Sequence, residues 1–459
     1  MKSELQALEN NHTWTVVSLP PGKRTISCKW VYRIKYNADG TIERYKARLV
    51  ILGNKQVEGI DYTETFALVA KFVTVRTFLA VAAARNWELH HMDVHNAFLH
   101  GELNEEVYMR LLPGFTSNKS RMVCRLKKSL YGLKQAPRCW FAKLAAALLN
   151  RARIILSLPC IGIAYIYLCL YLGPLKYVLG IEVTRNPTGI FLSQRKYVLD
   201  IISEAGLLGA KPAPFPLEPN HQLALAEGPY FSDPVKYRRL VGILIYLSAT
   251  RPELSYSVHL LSQFMQQPRE QYWEAALRVV RYLKGNLGQG VFLSSDCDLQ
   301  LYGWCDSDWA SYPLSRRSLS GWFVMLGSSL ISWKFKKQHT VAQSSTEAEY
   351  RAMATVTCEL KLLKGLLMSV GVDHSRPMHL YCDSQAALHL AANPVFHEQT
   401  KHIEVDCHFV RDETQRRNIR PVYVSTNIQL ADIFTKALGS KEFEFLLRKL
   451  GIRDLHAPT

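Results

Sequence analysis

Four acidic residues in the last third of the chain constrain it more than any other feature. They are Asp306, Glu349, Asp383 and Asp432, in the strings YGWCDSDWA, STEAEYRAMA, LYCDSQAAL and QLADIFTKAL. Each acid is embedded in apolar, foldable sequence rather than in a solvated charge run. Two read as strand ends and two as helical positions, so a fold that brings them together returns four separate elements to one point. Mg²⁺ requires hard oxygen ligands at near-octahedral geometry, which convergent carboxylates supply. Two such ions about 3.5–4 Å apart activate a water and stabilise the leaving oxygen of a phosphodiester. Surface acids are common and carry no such meaning alone; the apolar setting of these four sets them apart.

The pattern around them predicts an ordered set of elements. Alternating apolar positions give strands near 299–305, 321–326 and 330–334. A helical pattern runs through 345–370 and stops at Gly371. A strand at 378–382, a helix from 384, a helix near 404–416, a strand at 420–424 and a last helix from 429 follow. On these residues, the segment from about 299 to 438 resembles the ribonuclease H domain of copia-type retrotransposon polyproteins. The resemblance implies a β-β-β-α-β-α-α-β-α fold that cleaves the RNA strand of RNA–DNA hybrids with Mg²⁺ (or Mn²⁺). It also implies that Asp306, Glu349, Asp383 and Asp432 are at once the catalytic residues and the metal ligands. Within STEAEY the ligand is Glu347 or Glu349, and the family pattern favours Glu349. Of Asp306 and Asp308 it favours Asp306. The segment 298–459 is expected to carry its own core.

A net charge of +17 and a pI near 9.4 point to an acidic partner, with nucleic acid first and a membrane surface as the alternative. Length and a hydrophobic content of 48% allow two or three domains. Ten cysteines without a CxxC pair support neither a zinc site nor a disulfide framework. Reduced thiols fit an intracellular protein, cytoplasmic or nuclear. The opening MKSELQALENNHTW has no apolar core, so no secretory signal is expected.

The first 150 residues carry a second pattern. Strands at 29–36 and 41–52 flank the turn Asn37-Ala38-Asp39-Gly40, a hairpin signal. A helical run at 73–85 precedes WELHHMDVHNAFLHGELNEEVYM, and CRLKKSLYGLKQAPRCWF follows. Over roughly 4–144 these strings resemble the fingers and palm of copia-type reverse transcriptases. The resemblance places Lys46 and Arg48 near an incoming triphosphate and makes Asp93 a catalytic metal-holding carboxylate. Phe98 becomes the bulky residue that excludes a ribose 2′-hydroxyl, with Tyr131, Gly132 and Gln135 near nucleotide and template. A basic hairpin touching template backbone is the alternative for Lys46 and Arg48.

The resemblance then breaks. The family's Tyr-x-Asp-Asp hairpin, which supplies two further carboxylates beside Asp93, has no counterpart, because the chain contains no Asp-Asp dipeptide. Between Glu106 and Asp200 the only acid is Glu182, against twelve Lys or Arg from Arg110 to Lys176. Family members carry several dozen more residues here, so an internal deletion near 150–172 is inferred and polymerase activity is expected to be lost. The uncharged run 154–175 is long enough to span a bilayer, a minor alternative. Pro159, Gly162 and Gly173 interrupt it, so a degenerate palm remnant is the preferred reading and no stable membrane association is expected.

The remainder connects the two. Two strands around 185–189, a helix from 194 and a Pro-rich linker at 211–219 lead into helical sequence. There Lys236, Arg238, Arg239, Arg278, Arg281 and Lys284 offer a duplex track, with a solvated helix face as the alternative. His402, Cys407 and His408 lie on an amphipathic pattern and are read as its polar face. The fold class is therefore α+β and multi-domain: truncated fingers and palm at 4–220, a helical thumb or connection at 221–297, a ribonuclease H-like domain at 298–440 and a tail at 441–459. Expected partners are RNA–DNA hybrid and single-stranded RNA or DNA. The alternatives to a hybrid nuclease are a non-catalytic basic nucleic-acid-binding remnant and the non-functional product of a decayed element.

Overall fold

The computed structural model describes residues 1–37, 39–65, 71–94, 96–112, 122–152, 169–392 and 403–454. The chain forms two compact units, one of residues 1–70 and 90–173 and one of residues 71–89 and 174–459.

In the first unit, strands Cys28–Tyr36 and Ile42–Ile51 pair as an antiparallel hairpin. Strands Trp14–Ser18, Met122–Leu126 and Tyr108–Arg110 form a three-stranded antiparallel sheet. Leu8, Leu49, Ile51, Met109 and Leu130 are buried in a core that ties both to the turn at 130–135. That turn needs a glycine. Ile51 N donates to Tyr131 O at 2.7 Å, and a Cβ on Gly132 would sit 2.1 Å from Ile51 O. Gly132 also has φ +93°, a backbone region that side chains disfavour. Strand His90–Val94 pairs with Cys169–Pro174 in a separate two-stranded ladder.

In the second unit, a mixed sheet has the order Ser329–Lys337, Leu319–Leu326, Leu301–Asp308, Met378–Cys382, Ile419–Tyr423. The first three strands are antiparallel and the last two join in parallel. Helix Ser345–Ser369 packs on this sheet and ends at Val370 before Gly371, whose φ is +73°. Helices Gln385–Ala392 and Glu404–Gln415 complete the layer. The predicted order of strands and helices is thus present through residue 423.

Three features differ from the sequence expectations. First, the expected helix from 429 is two short 3₁₀ turns, Thr426–Ile428 and Leu430–Phe434, and the α-helix follows at Ser440–Lys449. Gln429 tightens this stretch by bonding Cys305 O at 2.9 Å and Ala431 N at 3.2 Å. Second, residues 441–454 of the expected tail are packed. SKEFEFLLRK buries Phe443 and Leu446, and strand Ile452–Asp454 pairs with Gln289–Ser294. That strand edges a second antiparallel sheet with Gly189–Ser193, Ile181–Asn186 and Tyr177–Val178. Third, helix Phe72–Ala84 belongs to this unit despite its early position in the chain. Its buried Arg76 donates to Ile331 O and Ala249 O, both at 2.7 Å, and lies 3.6 Å from the Trp333 ring centre. Strands 177–193 and helices Arg195–Glu204, Pro234–Leu247, Ser255–Ser262 and Glu270–Gly285 share the same core. Residues 298–459 are therefore only part of a larger packing unit.

Candidate active site

Strand Leu301–Asp308 is central in its sheet, and its parallel neighbour Met378–Cys382 stops one residue before Asp383. Parallel pairing puts the C-terminal ends of both strands on the same side, which brings Asp306 and Asp383 toward one another. Asp306 stands opposite Gly321 in the antiparallel register. A Cβ at Gly321 would approach both Phe434 Cβ and Thr435 Cγ2 to 2.7 Å. The absent side chain lets the 3₁₀ turn lie against the sheet, carrying Asp432 and Thr435 to Asp306.

The long helix delivers the fourth acid, and its N-terminus separates the two glutamate candidates. Ser344 caps the helix by accepting from Glu347 N at 3.2 Å. The Glu347 carboxylate accepts from Gln343 N at 2.6 Å and from Arg351 at 2.7 Å, so it is committed to the cap. Glu349 points to the sheet, where its Oε1 accepts from Ser307 N at 2.8 Å. Its Oε2 faces the Cys382 thiol at 3.8 Å. Ligand atoms of Glu349, Cys382 and Asp383 all lie within 4.8 Å of one another.

Burial sets the electrostatics. Asp306 is 3% exposed, and loss of hydration pushes its carboxyl up to about 7 against the opposing pull of Lys436. Glu349 is held well above the usual carboxylate range by burial first, then by Asp306, Cys382 and Asp383. Asp432 is raised as well, with burial outweighing its bond to Lys436. Burial alone would lower the Lys436 ammonium, but Asp306 and Asp432 hold it charged and raise it. The Lys436 Nζ lies 2.9 Å from Asp432 Oδ1 and 3.8 Å from Asp306 Oδ2. Thr435 donates to Asp306, and Thr426 donates to Asp383 Oδ2 at 3.0 Å. Converging buried carboxylates whose charged forms are disfavoured fit a hard divalent cation, which would restore them to carboxylate form.

The residues expected at the polymerase site lie in the first unit. Asp93 lies in strand His90–Val94, and its side chain is outside the described residues. The strand paired with it, CLYLGP, has no acid. Arg48 lies 4.9 Å from the Tyr131 ring centre, and Phe98 meets the same ring edge-on at 6.2 Å. Lys46 is half-buried on the same hairpin, its ammonium lowered by burial and by Arg48 and Arg44. Gln135 is fully buried, accepting from Gln56 Nε2 and donating to Asp61 O at 3.0 Å each. Gly132 contributes the close backbone approach described above.

Of the proposed basic track, Arg239 pairs with Glu204 and Arg278 with Glu218, while Lys284 donates to Leu208 O and Ala210 O. His402 and residues 153–168 lie outside the described residues, and His408 sits 4.0 Å from Glu404 on helix Glu404–Gln415. Among the described residues no helix is long and apolar enough to cross a membrane. The sequence reading missed Lys436, Thr435, Thr426 and Cys382. Lys436 alone carried a signal, standing four residues after Asp432 where helical ion pairs form.

Comparison with known proteins adds to this geometry. Residues 11–155 match the family described as reverse transcriptase (RNA-dependent DNA polymerase). The chain is 41% identical, over 98% of its length, to the retrovirus-related Pol polyprotein from transposon RE1 of Arabidopsis thaliana, covering 33% of that protein. It is 35% identical, over 99% of its length, to the corresponding polyprotein from transposon TNT 1-94 of Nicotiana tabacum, covering 38% of it. The chain thus spans about a third of the length of these curated relatives. Among solved structures, the foamy viral protease-reverse transcriptase in complex with double-stranded DNA aligns with 93% of this chain and 83% of its own, at a TM-score of 0.45 and 11% identity.

Proposed function

Because the chain belongs to the copia-type retrotransposon Pol family, as a reverse transcriptase/ribonuclease H fragment, we propose that its working site is the carboxylate centre of the second unit. The proposed reaction is divalent-metal-dependent cleavage of the RNA strand in an RNA–DNA hybrid. The observation that carries this reading is the convergence of Asp306, Glu349, Asp383 and Asp432 from four elements, three of them with raised carboxyls. Asp306, Glu349, Asp383 and Asp432 would hold Mg²⁺ or Mn²⁺, which when bound supplies water activation and leaving-oxygen stabilisation. The protein's own part is positioning. Ser307 N orients Glu349, Thr426 orients Asp383, Thr435 orients Asp306, and Gln429 ties the 3₁₀ turn to the central strand. Discrimination of hybrid from duplex DNA would rest on contacts to RNA 2′-hydroxyls.

Polymerisation is proposed to be lost. One aspartate, beside a strand without acids, does not supply the carboxylates that two ions at a primer end require. The first unit would act instead as a basic holder of hybrid or single-stranded nucleic acid, through the exposed hairpin with Arg33, Lys35, Arg44 and Arg48. Such binding should weaken steeply with salt. The compartment proposed is intracellular, without stable membrane association.

The test is incubation of the full chain with end-labelled RNA–DNA hybrid and with duplex DNA of the same sequence, with Mg²⁺, Mn²⁺ or chelator. Cleavage of RNA only in the hybrid, abolished by chelator, is the expected result. A folded protein that binds hybrid yet leaves it intact with either ion would reduce the function to binding.

A further inference from the structure

The carboxylate centre is not uniform. On one side, Glu349 and Asp383 approach Cys382, and among the described residues neither carboxylate makes an ion pair. On the other side, the Lys436 ammonium stands between Asp432, at 2.9 Å, and Asp306, at 3.8 Å. We propose that Lys436 occupies the place of one of two cations. The resting protein then takes up one divalent ion on the Glu349–Asp383 side, and a second only by displacing the lysine.

Three observations support this. Lys436 is held by its own backbone, since Lys436 N donates to Asp432 O at 3.0 Å, so its side chain starts beside the acid it neutralises. Its side chain is 36% exposed, against 4% for Asp306 and 17% for Asp432, so the ammonium has an outlet to solvent that the acids lack. A lysine is a compact charge on a flexible stem and leaves without rearranging the sheet. The charge balance agrees. The lysine and one divalent ion offset three of the four carboxylate charges, whereas two ions offset all four and leave the lysine in surplus. Lys436 is thus a positioning residue: it keeps Asp306 and Asp432 aimed at a common point before the second ion arrives, and it sets the ion concentration at which that ion enters.

This inference rests on reading the centre as a divalent-ion site and is independent of whether hybrid is cleaved. The test is Mn²⁺ binding to the full chain, with free Mn²⁺ followed by electron paramagnetic resonance and heats by calorimetry. Wild type, Lys436→Met and Lys436→Arg are compared, each shown to be folded by a cooperative melt. Expected for wild type is one ion, with a second at least tenfold weaker. Lys436→Met removes the competing charge at similar length and should tighten the second site about tenfold or more, while Lys436→Arg should keep the unequal pair. A lysine that merely stabilised the fold would weaken both sites when removed. Equal binding in wild type and Lys436→Met, or loss of affinity in a folded Lys436→Met, would overturn the proposal and leave the metal-centre reading standing. Absence of Mn²⁺ binding in all three proteins would overturn both.

Discussion

Two strands in this molecule carry an aspartate near their C-terminal end, Asp306 and Asp93, and they differ in their neighbours. Beside Asp306 runs Met378–Cys382, which leads directly into Asp383, and over it lie Glu349 and the turn with Asp432. Beside Asp93 runs CLYLGP, which brings no acid at all. A single carboxylate of either kind is an ordinary feature. What makes the first a candidate catalytic centre is that the sheet and helix layer bring three more acids to it, with Asp306 and Glu349 buried.

The sharpest way to break this contrast is to remove a member of the four-acid group. Glu349→Gln should lower hybrid cleavage by about a thousandfold or more, roughly 4 kcal/mol of transition-state stabilisation. Single-turnover rates against wild type measure this, and retention of most activity would place Glu349 outside the centre. Next in size is Gly321→Ala, which adds a methyl where Phe434 and Thr435 already approach to 2.7 Å. Displacing the turn that carries Asp432 should cost about 10²-fold in rate and about 1–3 kcal/mol in stability by denaturant titration.

A smaller effect is expected from pH without metal. The Asp306 carboxyl is raised to about 7, so the folded state binds more protons than the unfolded chain between the ordinary value of about 4 and that point. Ion-free stability should therefore fall as pH rises through that window, with Glu349 and Asp432 acting in the same direction. Thermal melts from pH 5 to pH 8 should show a loss of a few degrees that a divalent ion reverses. A rise of stability with pH would contradict the raised carboxyls. The smallest effect belongs to Glu347→Gln, which should cost about 1 kcal/mol of helix capping and leave most of the activity. Comparing it with Glu349→Gln tests the division of labour at the helix start.

Much of the second unit was legible because its periodicities are long and its punctuation is local. The 25-residue helix shows its helical spacing and its stop at Gly371 in the sequence, while its cap by Ser344 is visible only in the structure. The choice of Glu349 came from a family pattern. The structure adds a physical reason, because Glu347 is held by Gln343 and Arg351. The final turn was misread as a helix because ADIFTKAL has helical apolar spacing, whereas the contacts that tighten it come from Gln429 and the missing side chain of Gly321. Helix Phe72–Ala84 was recognised as a helix, but no local signal shows which unit it joins. That depends on Arg76 reaching carbonyls at 249 and 331, a relation between distant positions that periodicity does not encode. The motif around Gln135 likewise carries no sign of its bonds to Gln56 and Asp61 O, partners far away in the chain.

The central claim is that catalytic capacity follows the complete carboxylate group and not the retained motif. One preparation of the full chain, with Asp93→Asn and Asp383→Asn variants beside it, tests this directly. Each protein is given a primed RNA template with nucleotides and, separately, an RNA–DNA hybrid, both with Mg²⁺ or Mn²⁺. The account predicts no primer extension by any of the three, hybrid cleavage by wild type and Asp93→Asn at equal rates, and none by a folded Asp383→Asn. Primer extension that disappears in Asp93→Asn, or hybrid cleavage that survives in Asp383→Asn, would contradict it.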